Sequence, residues 1–143
     1  MSVSVRRFSQ SNERGNIEDR IIDLMISAEA LFLSSGGSVQ GELKYRLAHR
    51  AAMLIGESIG DHRYVFEFMQ KAYDVRSSIV HGSTPKLPKK IDGEKDTLDE
   101  FCTDIEMYLR VSTKKVIQLV SSTDTKKKEI DWKSIVFPIS KSE

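Results

Sequence analysis

The feature that most constrains the fold is a three-and-four spacing of apolar residues, which recurs in successive segments of this 143-residue chain. Such spacing places the apolar side chains along one face of an α-helix. The apolar positions of the first segment are Ile17, Ile21, Leu24, Met25, Ala28, Leu31 and Phe32. No strand-like alternation covers a useful length, except in one short patch near the end. The sequence therefore predicts an all-α fold, an antiparallel bundle of four to five helices.

Glycine residues and helix-capping residues mark the ends of the first three predicted helices. Asn16 is a plausible N-cap of the first helix, and the glycine pair at 36–37 ends it. The second helix covers residues 41–56. Asp61 caps the third helix, which ends at Gly82. Short connections of this kind favour antiparallel neighbours.

The fourth predicted helix follows a polar connection, residues 83–96, that is rich in Pro, Gly and Lys. Thr97 and Glu100 form a capping-box pattern at its start, and the apolar stripe runs to about Ser121. We expect an N-terminal arm at 1–15, the helical bundle at 16–121, and a charged tail with a short apolar patch at 122–143. That patch could form a last helix or strand, or pack on a partner.

Charge and cysteine content exclude several classes of protein. The chain has 22 Lys and Arg residues against 21 Asp and Glu residues, so its net charge exerts no strong pull on nucleic acid or anionic lipid. The single cysteine, Cys102, excludes an internal disulfide and a cysteine-based zinc site. No apolar run is long enough to span a membrane, and the N-terminus lacks the apolar stretch of a secretory signal. We interpret the chain as cytoplasmic, with no membrane partner.

The segment KAYDVRSSIVHG, at residues 71–82, combines an arginine and a histidine at a helix end. A five-residue separation rotates His81 by roughly 140° from Arg76, so the two do not stack on one face. They can line one groove if the helix end unwinds near Gly82, or if a second copy closes over it. The negative end of the helix dipole favours the imidazolium of His81, and Arg76 can bind phosphate through its planar guanidinium.

Arg76 and His81 together supply the functional groups that metal-independent RNA cleavage requires. The reaction needs a base for the 2′-hydroxyl, an acid for the leaving oxygen and a cation for the developing phosphorane charge. One histidine cannot easily act as base and acid at once. A symmetric dimer brings two copies of His81 and Arg76 to one cleft.

Arg76, four intervening residues and His81 resemble the Arg-x(4–6)-His signature of the HEPN superfamily. The segments IEDRIIDLMISAEALFLSSGG, ELKYRLAHRAAMLIG and AYDVRSSIVHG, in that order, resemble the Apea-like HEPN branch of bacterial defence proteins, over about residues 6–119. The resemblance implies a helical bundle that forms a homodimer and cleaves RNA at Arg76 and His81 without a metal or other cofactor. Such domains commonly act in abortive infection or toxin–antitoxin systems, so a regulatory domain or an antitoxin is a further expected partner.

Five neighbouring residues are candidates for accessory roles. Ser77 stands where active family members often have Asn, Asp or His, and its hydroxyl can hydrogen-bond a phosphate. Tyr73 could stack on a base or pack in the dimer interface, and we favour packing. The nearest candidates for contacts with RNA phosphates are Lys86, Lys89 and Lys90.

Two alternatives assign no catalysis to this motif. The first is a catalytically silent HEPN module that dimerises or senses a nucleotide or protein partner. The second is a helical scaffold in which His81 is a cap and Arg76 forms a salt bridge, with Asp74 or with a carboxylate on another helix.

The remaining polar residues of note are a carboxylate and two histidines. Glu29 falls in the middle of an apolar face, where we expect it to form a structural ion pair with Arg46 or Arg50. The resemblance leaves a second role open, in which Glu29 orients the catalytic pair, and we do not count it among the catalytic residues. His49 and His62 have no neighbours at ligand spacing, so we predict no metal site.

Overall fold

The computed structural model describes residues 2–13, 15–33, 40–89, 93, 96–122 and 130–137. Every secondary-structure element formed by these residues is a helix: α1 (Ser2–Ser11), α2 (Ile17–Phe32), α3 (Gln40–Ile59), α4 (His62–Val80), α5 (Leu98–Ser122) and α6 (Trp132–Val136). The predicted all-α class is confirmed, and the four predicted helices correspond to α2 to α5. The count exceeds four to five because the expected arm contains α1 and the tail patch forms α6. None of the described helices is both long enough and apolar enough to cross a lipid bilayer.

Helices α2, α4 and α5 begin at the capping residues that the sequence indicates. The side chain of Asn16 accepts a hydrogen bond from the backbone N–H of Glu18 at 2.8 Å. Asp61 accepts from two backbone N–H groups in the first turn of α4. Thr97 and Glu100 form the predicted capping box, since the Glu100 carboxylate accepts from the Thr97 N–H at 3.0 Å and the Thr97 hydroxyl accepts from the Glu100 N–H at 3.2 Å. The predicted stop at 36–37 lies outside the described residues.

The centre of the bundle is α2, which packs against α1, α3, α4 and α5. The predicted apolar faces form the core, whose largest fully buried members include Ile21, Leu24, Met25, Phe32, Leu47, Ile55, Val65, Met69, Phe101, Ile105 and Leu109. Each such side chain contributes about 1.5–3 kcal/mol by leaving water. Cys102 belongs to this core, and its burial raises the pKa of the thiol.

Two antiparallel hairpins make up much of the fold. In the first, Ser4 of α1 hydrogen-bonds to Ser27 of α2, close to the start of α1 and towards the end of α2. In the second, α3 and α4 are joined by a short turn in which Gly60 has φ +98, a conformation that favours glycine. Helix α6 packs on α3.

Candidate functional site

The arginine and histidine of the sequence motif lie at the C-terminal end of α4. Arg76 and Ser77 belong to the last turns of the helix, and His81 is its C-cap. The backbone N–H of His81 donates to the Ser77 carbonyl at 3.1 Å, which closes the final turn. Gly82 follows with φ +72, so the chain leaves the helix in the left-handed conformation that glycine adopts at low cost. The sequence thus places the motif at a helix end, as predicted.

The guanidinium of Arg76 faces α2 and lies beside Glu29. Arg76 Nη1 is 3.6 Å from Glu29 Oε1, which is an ion-pair distance but longer than a hydrogen bond. The two side chains are 26% and 30% exposed. Arg76 Nε and Glu29 Oε1 are themselves buried, and neither has a hydrogen-bond partner among the described residues. The ion pair therefore orients the Arg76 guanidinium towards α2 without a direct hydrogen bond to Glu29.

The predicted partner of Glu29 was wrong. The contact of α2 with α4 brings Glu29 to Arg76, whereas we expected Arg46 or Arg50 of α3. Arg50 instead donates to the backbone carbonyl of Phe32. Of the two structural options for Arg76, the salt bridge to another helix is the one observed.

Asp74, the carboxylate nearest to Arg76 in sequence, is engaged elsewhere. Its two oxygens accept from Lys44 Nζ of α3 at 2.7 Å. This contact also fixes the N-terminal half of α3 beside the C-terminal half of α4. Glu29 is therefore the carboxylate beside Arg76. The sequence singled it out as a lone carboxylate on an apolar helix face but did not identify Arg76 as its partner.

His81 lies on the surface, with an exposed side chain at the end of α4. In one copy of the chain it does not share a face with Arg76, because Arg76 points towards α2 and the five-residue spacing rotates the two apart. Ser77, which lies between them in the sequence, is half-buried. Val80, beside His81, is 54% exposed and adds an apolar surface at the same helix end.

Tyr73 is a core residue of the chain itself, with only 9% of its surface exposed. Its ring is thus packed against the other helices and offers little surface for stacking on a base. We favoured packing over stacking for Tyr73, but in the dimer interface. The structure shows it packed inside a single chain.

The two candidate lysines that the structure describes lie in different surroundings. Lys86 is exposed in the segment that follows Gly82. Lys89 lines a cavity of about 640 Å³ together with Tyr64 and Glu67, near the start of α4. At about 1.5 Å per residue, Glu67 lies roughly 21 Å along the helix from His81. Lys90 lies outside the described residues, and RNA binding by all three stays a prediction.

In the described part of the chain, no three His, Cys, Asp or Glu side chains are grouped so as to hold a metal ion. Comparison with protein-family models, with curated proteins and with solved structures finds no match to this chain. A functional conclusion therefore depends on the chemistry of Arg76 and His81 and on the motif they form.

Proposed function

We propose that the chain is a metal-independent endoribonuclease of the HEPN type that acts as a homodimer, in bacterial antiviral defence or a toxin-like stress response. The observation that supports this most is the end of α4, where an anchored arginine and an exposed histidine lie within one and a half helical turns. Arg76 binds the scissile phosphate, His81 transfers protons, and the Ser77 hydroxyl assists by hydrogen bonding.

The reaction is an internal transesterification. His81 of one copy removes the proton from the 2′-hydroxyl, whose oxygen attacks the adjacent phosphorus. The bond from phosphorus to the 5′-oxygen breaks, and the imidazolium of His81 in the second copy protonates that oxygen. Arg76 stabilises the charge on the non-bridging oxygens as it develops. The products carry a 2′,3′-cyclic phosphate and a 5′-hydroxyl.

A second copy supplies what one chain lacks. Each chain offers one histidine at the motif, so base and acid must come from two chains. The half-exposed Val80 beside His81 provides apolar surface that a second copy can cover. Pairing the two α4 ends about a two-fold axis brings both histidines to one cleft.

One observation favours the second candidate function, a silent HEPN module that dimerises or senses a nucleotide or protein. Glu29 already balances the charge of Arg76, which weakens the attraction of this end of α4 for a phosphate. Ser77 also replaces the residue types frequent in active members. If the module is silent, removing the Glu29 charge by Glu29→Gln does not produce RNA cleavage.

The deciding experiment is cleavage of a mixed RNA pool by the purified chain in EDTA, after light scattering has established its oligomeric state. We expect the wild type to produce 2′,3′-cyclic phosphate ends. Loss of the acid–base group in His81→Ala, or of the cation in Arg76→Ala, should reduce the rate by about 100-fold or more.

Two variants at the opposite end of α4 serve as matched controls. His62→Ala and Arg63→Ala remove the same residue types from exposed positions, and we expect both to cleave as the wild type does. Absence of cleavage by a folded wild-type dimer would instead favour the silent module. Equal losses in all four variants would contradict the assignment of Arg76 and His81.

A further inference from the structure

A groove between α3 and α6 has the composition of a ligand site. Its volume is about 520 Å³, within the range of small-molecule pockets. The lining residues that matter here are Tyr45, Arg46 and Arg50 of α3, and Trp132, Lys133 and Phe137 at α6. We call this the α3–α6 groove. It contains none of the residues assigned to RNA cleavage.

The groove has an excess of positive charge. Arg46, Arg50 and Lys133 line it, against the single carboxylate of Glu42. Among the described residues, none of the three cations forms an ion pair within 4.0 Å. Burial, and then the neighbouring charge of Arg46, lower the pKa of Arg50. An anion in the groove relieves this repulsion.

One of the three cations is held by contacts within the protein, and the other two can contact a ligand. Arg50 is held by its hydrogen bond to the Phe32 carbonyl and by the Trp132 ring, whose centroid is 5.0 Å from the guanidinium carbon. It therefore belongs to the floor of the groove. Arg46 and Lys133, on opposite walls, are the cations that can engage an anionic group.

Aromatic rings stand beside these cations. Tyr45 is 57% exposed, although its ring is oriented by an edge contact with Phe66 at 5.4 Å and by His49 at 5.7 Å. Phe137 is 74% exposed. Exposed, oriented rings next to arginine and lysine are the means by which proteins bind a base and its phosphate together.

We propose that the α3–α6 groove binds a nucleoside phosphate, whose base stacks on Tyr45 or Phe137 and whose phosphate pairs with Arg46 and Lys133. No covalent step is involved. The ligand can be a free nucleotide or one residue of a single-stranded RNA, since both present the same base and phosphate. The site stands independently of the proposed nuclease activity.

The protein carries its own reporter for this site. Trp132 is the single tryptophan of the chain and lies in the groove, so its fluorescence follows binding directly. The full chain is titrated with AMP, with adenosine, with inorganic phosphate, and with a 2′-O-methyl oligoadenylate that cannot undergo transesterification. Calorimetry with the same four probes gives a second measurement.

We expect saturable binding of AMP, with adenosine and phosphate each at least about tenfold weaker because each makes half of the contacts. Tighter binding of the oligonucleotide than of AMP identifies RNA as the source of the ligand. Equal or weaker binding of the oligonucleotide identifies a free nucleotide.

Matched pairs of variants locate the site. Tyr45→Ala and Arg46→Ala should each raise the Kd for AMP about tenfold. The controls are Tyr64→Ala and Arg63→Ala, which should leave the Kd for AMP unchanged. Tyr64 lies outside the groove, and its ring is 55% exposed. Circular dichroism confirms that the four variants are folded.

Three results would overturn the proposal: no binding of AMP by fluorescence and calorimetry alike, phosphate binding as tightly as AMP, or losses in the Arg63 and Tyr64 variants equal to those in the groove. His81→Ala should bind AMP as the wild type does, whether or not the wild type cleaves RNA. Failure of the nuclease proposal is therefore distinguishable from failure of this one.

Discussion

The two antiparallel hairpins of this protein, α1–α2 and α3–α4, are held together by different chemistry. The α1–α2 interface contains buried polar groups: Ser4 and Ser27 exchange hydrogen bonds, and Arg7 pairs with Asp23 at 3.2 Å. Asp23 is only 5% exposed in its side chain. Ser4, Ser27 and the Asp23 carboxylate have left water and therefore depend on their partners, whereas Arg7 keeps about a third of its side chain exposed.

The α3–α4 interface contains small residues that allow close approach. Ala48, Ala51 and Ala72 are fully buried in the bundle. A Cβ atom at Gly56 would lie 2.8 Å from the Cα of His62 and closer still to its ring, so the helices meet where a side chain is missing. The salt bridge of this hairpin, Lys44 with Asp74, lies on the outside.

The difference shows which interface tolerates which change. Removing a polar group damages the first hairpin, because a buried hydrogen bond or ion pair between its helices is lost. Adding an atom damages the second, because no space exists for it. The following four predictions test this contrast.

The largest effect should follow Asp23→Ala. This change leaves Arg7, 34% exposed in its side chain, without its carboxylate at the interface, so we expect a loss of about 2–3 kcal/mol in the free energy of unfolding. Urea denaturation followed by circular dichroism measures it. Glu57→Ala, an exposed carboxylate on α3, is the control and should cost less than about 0.5 kcal/mol. Equal losses in both would show that the Arg7–Asp23 pair does not hold α1.

Gly56→Ala should cost about 2 kcal/mol, because the new methyl group forces α4 away from α3 at His62. Gly15→Ala is the matched control: no atom lies within 4 Å of its added Cβ, and we expect a neutral or slightly stabilising effect. Thermal unfolding of the two variants gives the comparison. A stable Gly56→Ala protein would mean that His62 moves aside freely.

Ser27→Ala should cost about 1 kcal/mol. The Ser27 hydroxyl donates to the Ser4 carbonyl at 2.8 Å, and the change removes this buried hydrogen bond between α1 and α2. Ser9→Ala removes an exposed hydroxyl from the same hairpin and should leave stability unchanged. If the two variants unfold at the same urea concentration, the buried serines contribute packing rather than hydrogen bonding.

The smallest effect should follow Lys44→Ala, below about 0.5–1 kcal/mol, since its side chain is 32% exposed and that of Asp74 is 53% exposed. A double-mutant cycle with Asp74→Ala isolates the pair, and the coupling should fall further in high salt. A coupling as large as the cost of Asp23→Ala would remove the distinction between the two hairpins.

The same contrast explains how far the fold could be predicted. Helices α2 to α5, and the N-caps of α2, α4 and α5, were evident because apolar spacing and capping residues are local signals. Helix α1 was expected as an arm, because its interface with α2 is polar and produces no apolar stripe. The residues of α1 at three-and-four spacing are mostly polar: Ser4, Arg7, Phe8 and Ser11.

The candidate site divides in a similar way. The sequence indicated Arg76 and His81 and their position at a helix end. It did not indicate that Glu29 pairs with Arg76, that Lys89 lines a cavity with the N-terminal half of α4, or that α6 completes a basic, aromatic groove with α3.

The sequence by itself determined where α2, α4 and α5 begin and which faces of α2 to α5 become the core, because those depend on neighbours a few residues apart. The tertiary structure decided which polar side chains meet across helices. Such meetings depend on how the helices pack against one another, and no spacing along a single helix records that.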